Sequence, residues 1–139
     1  VYKILFVSLL LIISCGNAFA SEEAVYLDEQ TGLMWQLEDN GVDISWPAAK
    51  AFCTQLTTAG FSDWRMPTQD ELATLYRLEA AEITEYYILP KISISACCQW
   101  ADNTKNVKVA SFDFEYGNRD WGHPMSTVEA RVIAVRSIK

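Results

Sequence analysis

The chain has 139 residues, half of them apolar and 12% aromatic. That is enough to bury one core, and it excludes a disordered or fibrous chain. Eleven basic residues against 18 acidic ones give a net charge of −7. Nucleic-acid binding, which needs clustered Lys and Arg, is thereby excluded; anionic lipid and sulfated polysaccharide are disfavoured for the same reason.

Lys3 precedes an apolar run over residues 4–13. A spanning helix needs about 20 apolar residues, so this run reads as the core of a secretory signal over residues 1–20. Two processing readings stay open. Ala18-Phe19-Ala20 before Ser21 is an A-x-A cleavage site, and Ile12-Ile13-Ser14-Cys15 resembles a lipobox that would lipidate Cys15. Both place the domain, residues 21–139, outside the cytoplasm, periplasmic or secreted. A lipid on Cys15 is the only membrane attachment expected. Loss of the first 20 residues leaves ten basic residues against 18 acidic, a net −8.

The cysteines are Cys15, Cys53, Cys97 and Cys98. An oxidising compartment favours pairing, so one bridge and one leftover thiol are expected, with Cys53 joined to Cys97 or Cys98. A vicinal Cys97–Cys98 bridge would close a strained ring. There is no C-x-x-C, and His123 is the only histidine. A zinc site would need Cys53, the adjacent cysteines and His123 to converge, so no metal is assigned.

In chain order, residues 25–28 and 33–36 read as a hairpin around the turn at Gly32. Ser45 can cap a helix with Pro47 in its first turn, and Trp46, Ala49, Cys53 and Leu56 recur at helical spacing. Gly60 suits its C-terminal cap. Thr68-Gln69-Asp70-Glu71 is a capping box opening a second helix that runs to about Leu78. A mixed loop over residues 79–90 leads to a short strand at residues 99–101. Residues 107–114 alternate as a strand, 116–118 turn, 119–126 read as an irregular loop, and 131–138 as a terminal strand. Strands at both ends around two helices give an α+β class with the chain ends in one sheet.

Several of these segments resemble one family. Thr31-Gly32-Leu33-Met34-Trp35 is similar to its T-G-L-M-W opening, and residues 59–68, Ala-Gly-Phe-Ser-Asp-Trp-Arg-Met-Pro-Thr, to its A-G-x-S-D-W-R-L-P-T run. Trp46, Ala49, Phe52, Cys53 and Leu56 follow its first helix. Phe112-Asp113-Phe114 with Gly117, and residues 132–136, follow its last strands. The family is the Lcl C-terminal domain of bacterial collagen-like adhesins. The resemblance covers residues 25–137. It implies a C-type-lectin-like fold, with mixed antiparallel sheets, two main helices and a long loop region, and an adhesive function. Members often carry a cysteine in the terminal strand opposite the helix cysteine. Ala134 fills that position here, which leaves Cys97 or Cys98 as substitutes. The catalytic cysteines of the formylglycine-generating relatives of this fold have no counterpart.

Trp35, Trp46, Trp64 and Trp100 read as core. Trp121 differs, because it lies between Asp120 and Gly122 in the irregular stretch, near Tyr116, Asn118 and His123. A Trp beside Asn and Asp can stack on a sugar face while the polar groups bond hydroxyls. Asp102 and Asn103 beside Trp100 are the remaining candidates. They resemble the calcium strand of lectins, but calcium wants six to eight oxygens and no E-P-N loop is present. Asp63 and Arg65 read as an ion pair locking the turn between the helices. Arg131 and Arg136 are the next candidates for pairing with buried carboxylates, Asp113 among them. There is no G-x-S-x-G elbow, and Glu79, Glu82 and Glu85 read as a solvated edge, so no enzyme and no cofactor are expected. Two functions follow: a non-catalytic binding or adhesion domain displaying loops at residues 98–106 and 115–127 to a glycan or surface protein, or an accessory subunit of an envelope assembly.

Overall fold

The computed structural model describes residues 24–82 and 85–138. The expected signal, the cleavage after Ala20 and Cys15 lie outside the described residues.

The N-terminal hairpin forms as its sequence dictates. Strands β1 (Val25–Asp28) and β2 (Leu33–Gln36) pair antiparallel, with Tyr26 opposite Trp35. Asp28 closes the turn by accepting the Gln30 N–H at 3.0 Å. The last strand, β6 (Val135–Ser137), pairs on the other side of β2, so the hairpin and the chain's end share one sheet in the order β1-β2-β6.

Helix α1 (Trp46–Thr54) has Pro47 in its first turn and buries Trp46, Ala49 and Cys53. Ser45 occupies the N-cap position, but its side chain makes no capping bond. The helix stops well short of Gly60, at Gln55. Gly60 instead sits at φ +78° in a 3-10 turn, Thr58–Gly60. Threonines at 54, 57 and 58 disfavour helix continuation, since β-branched side chains lose rotamer freedom against the preceding turn.

Helix α2 (Gln69–Ala73) opens on a complete capping box. Thr68 accepts from the Glu71 N–H, and the Glu71 carboxylate accepts from the Thr68 N–H at 2.9 Å. It is five residues long and ends before Leu78, because Tyr76 leaves the helix to bridge Ile88 and the Leu75 carbonyl accepts the Leu89 N–H. Tertiary pairing outcompetes a last helical turn that no C-cap residue secures.

The second sheet has the order β3-β4-β5. Its strands are β3 (Cys98–Lys105), β4 (Lys108–Asp113) and β5 (Asn118–Pro124). The segments expected to be displayed loops are therefore mostly the two strands flanking β4. β5 escaped the pattern because it is an edge strand with little apolar alternation. It also carries a bulge: His123 faces Val109 and Trp121 faces Ala110, leaving Gly122 as the extra residue at φ +94°.

The two helices cover opposite faces of this sheet. Trp100 and Val109 pack with Trp46, Ala49 and Cys53 of α1, whereas Ala101, Ala110 and Phe112 pack with Leu72 of α2. β4 is consequently buried on both sides from Val109 to Phe112. The α+β class read from the sequence holds, with two antiparallel sheets and two helices. The four tryptophans assigned to the core are buried.

The motif ions pair differently from the expectation. Asp63 and Arg65 do not hold each other. Arg65 forks onto Glu71 at 2.6 and 2.8 Å, and Asp63 receives Arg136 at 2.6 and 3.1 Å. The fold brings Glu71 of α2 to Arg65 and Arg136 of β6 to Asp63, so each motif ion has its partner on a different element. Arg131 pairs with Asp43 at 3.2 Å and not with Asp113.

Burial alone would raise the Glu71 carboxyl, but the Arg65 fork, the Thr68 donors and the Arg65 charge together hold it below its ordinary value. The stabilisation it gives is thus present above the unfolded-state value and lost as pH falls through the lower folded-state one. Glu71→Gln keeps the capping geometry and removes the charge. The gap in urea midpoint between wild type and Glu71→Gln should be widest near neutrality and narrow in acid. At Gly117, φ is +72° and an added Cβ would meet the Tyr76 ring at 2.8 Å. Gly117→Ala should cost about 1–3 kcal/mol in denaturant unfolding, from left-handed backbone and overpacking together.

Candidate functional site

Trp121 lies on β5 immediately before the bulge. Its side chain is on the same side of the ladder as Ala110, but β5 is an edge and nothing covers it fully; the residue is 50% exposed. With Gly122 it meets the β3–β4 turn, and Lys105, Asn106 and Lys108 complete a groove of about 370 Å³. Lys105 pairs with Lys108 across that turn. Asn106 takes φ +59° inside it, a left-handed conformation that Asn tolerates better than most residues. The groove presents one aromatic face, one side-chain amide and two ammonium groups.

The other expected site residues are dispersed. His123 faces inward, with Nε2 3.2 Å from Ser111 Oγ and its ring edge-on to Trp100 at 5.5 Å. Asp120 is half-buried opposite Ser111, and its carbonyl accepts from Gln69 Nε2 at 3.0 Å. Asp102 is ion-paired to Lys50 at 2.9 Å, and Asn103 Oδ1 accepts the Gln69 N–H at 2.8 Å. These two residues fasten β3 to the helices. Tyr116 and Asn118 are exposed at the β4–β5 turn, the opposite end of the hairpin from the Lys105–Lys108 turn. The Tyr116 hydroxyl is raised by its hydrogen bond to Glu115 and the charge of that carboxylate. Of the seven expected binding residues, only Trp121 lines the groove.

The sequence marks Lys91, Lys105 and Lys108 as a thin basic cluster, but it does not join Lys105 and Lys108 to Asn106, Trp121 and Gly122. A usable signal existed. Lys105-Asn106-Val107-Lys108 places Asn in the first central position of a two-residue turn, where a positive φ is wanted, and that turn sets the two lysines side by side.

The cysteines also correct the expectation. Cys53 does not join Cys97 or Cys98. It is a free thiol, fully buried under α1, and burial together with the Asp102 charge pushes it up to about 12. Cys97 and Cys98 are joined to each other. The helix that carries Cys53 turns it into the apolar cluster with Trp46 and Trp64, whereas the pair opens β3. Among the described residues the one metal-capable grouping is Cys97, Cys98 and Asp113; neither Cys53 nor His123 converges on it.

The family model of the Lcl C-terminal domain matches residues 24–136. The chain belongs to that family. Membership points to a non-catalytic, adhesin-like domain. No curated protein matches the chain.

Trypsin separates the cysteines, since Cys53 falls between Lys50 and Arg65 and the pair between Lys91 and Lys105. Without reduction, the peptide of residues 92–105 should appear alone and lighter by two hydrogens. Iodoacetamide should leave Cys53 unmodified until the protein is unfolded. A mixed peptide joining residues 51–65 to 92–105 would refute this pairing.

Proposed function

We propose that the protein is an extracytoplasmic, C-type-lectin-like binding domain that takes a glycan in the groove beside Trp121. The observation that carries the reading is the contrast among the tryptophans: Trp121 stands half-exposed in a groove while Trp35, Trp46, Trp64 and Trp100 are buried. An exposed indole of this size is an apolar face with a polar tip, suited to stacking against the C–H face of a sugar ring. Asn106 can both donate and accept, and the lysines donate, which serves sugar hydroxyls. The groove sits on strand ends fixed by two packed helices, so its shape is formed before binding and little ordering cost is incurred. The acidic whole, at −7, opposes polyanions at long range, so uncharged sugars are the preferred ligands over sulfated ones. The A-x-A site and the lipobox support an extracytoplasmic location, with Cys15 as the anchor in the second case.

An accessory role through protein contact has its own support. Leu27, Met34, Phe61 and Ile138 line a shallow groove of about 650 Å³ over the first sheet. Leu27 and Ile138 are among the exposed large apolar residues, and such a patch suits a protein surface.

Trp121→Ala discriminates the two. Being a surface change, it should move stability by about 0.5 kcal/mol or less, while retention on a glycan array falls at least tenfold. Unchanged retention, or binding confined to an envelope protein and lost in Leu27→Asp instead, would replace the first reading with the second.

A further inference from the structure

Cys97 and Cys98 stand at the Asn118 end of the second sheet, away from the Trp121 groove. Cys98 lies opposite Asp113 in the β3–β4 ladder. The two sulfurs and a carboxylate oxygen of Asp113 all lie within 4.8 Å of one another, and all three residues are partly exposed. Their backbone is held from both sides: the Phe114 N–H donates to the Cys97 carbonyl at 2.8 Å and the Arg131 N–H to the Cys98 carbonyl at 3.0 Å. Asp113 is oriented as well, because its Oδ1 accepts the Glu115 N–H at 2.7 Å and the Tyr116 N–H at 3.3 Å. Three potential ligands are thus positioned by the sheet itself and not by a mobile loop.

We propose that reduction of the Cys97–Cys98 disulfide opens a site for one soft metal cation, held by the two thiolates and the Asp113 carboxylate. While the sulfurs are bonded to each other they carry no charge and are poor ligands; the thiolate is the metal-binding form. The reductant is a dithiol, small or protein-borne. One of its thiolates attacks a sulfur of the pair, the second completes the exchange, and the dithiol leaves as its own disulfide. Two electrons and two protons pass to Cys97 and Cys98, which become thiols. The incoming cation then displaces both thiol protons. Two sulfurs and one oxygen favour Zn²⁺, Cd²⁺ or Cu⁺ over Ca²⁺ and Mg²⁺. Three protein ligands leave a coordination position for water or for an outside ligand. Cys53 does not compete, since it is fully buried and its sulfur is not part of the Cys97, Cys98 and Asp113 grouping.

The test uses the full chain carrying Cys15→Ser, so that the pair supplies the only accessible thiols. One portion is reduced with a phosphine, freed of it and kept anaerobic; the other stays oxidised. Both are titrated with Cd²⁺ while the ultraviolet thiolate-to-cadmium charge-transfer band is followed. The reduced protein should saturate at about one ion per chain, and the oxidised protein should give no band. Asp113→Asn, reduced, should bind about tenfold or more weakly, and Cys97→Ser with Cys98→Ser should abolish the band with the far-ultraviolet circular dichroism unchanged. A reduced wild-type chain without a band overturns the proposal, whether or not any variant folds. So does a band that survives the double serine variant, and an Asp113→Asn affinity equal to wild type removes the carboxylate from the site.

Discussion

Arg136 is the buried cation on which the closure of this fold depends. It lies on the last strand at 5% exposure, and a guanidinium so far from water must be paired and hydrogen-bonded to be tolerated. Asp63 supplies a two-point carboxylate at 2.6 and 3.1 Å, and the Phe61 ring lies 3.8 Å below the guanidinium carbon. The same segment then exchanges backbone hydrogen bonds with β6, Arg65 N–H to the Val135 carbonyl at 2.9 Å and Val135 N–H to the Arg65 carbonyl at 3.0 Å. The connector between the helices is thereby fixed to the end of the chain. Because Arg65 in turn grips Glu71, the start of α2 is set by where β6 lies.

From that anchoring the layout of the second sheet follows. α2 is directed onto one face of β4 and α1 onto the other, and Gln69, nearly fully buried, bonds the Ser111 and Asp120 carbonyls at 2.8 and 3.0 Å. The centre of the sheet is sealed. What remains open are its margins: the bulged outer strand with Trp121, the Lys105–Lys108 turn, and the Cys97–Cys98 corner. Several polar groups of β3 and β5 away from those margins are already committed to the scaffold. Asp102, Asn103 and His123 show the point, each with its polar atoms engaged by Lys50, Gln69 and Ser111.

Local signals were legible where a residue's own chemistry decides its conformation. The hairpin at Gly32, the Pro47 helix start and the Thr68 capping box all formed at the expected places. Helix ends were less legible. Gly60 and Leu78 mark plausible stops by spacing, but the actual stops were set by threonines and by the pairing of Tyr76 with Ile88. β5 was illegible as a strand, because an edge strand needs no apolar alternation and Gly and Pro inside it look like loop.

The sequence alone determined the class of the fold, the family and the burial of four tryptophans, since apolar period, caps and a ten-residue motif are properties of neighbouring residues. Which carboxylate meets which arginine, which cysteines join, and which of seven polar and aromatic candidates line a groove were decided only by tertiary structure. Those are facts about residues tens of positions apart. Their distances are set by strand register, and a single bulge at Gly122 puts His123 on the opposite side of the ladder from Trp121, so that His123 packs against Trp100 while Trp121 lies beside the lysine turn.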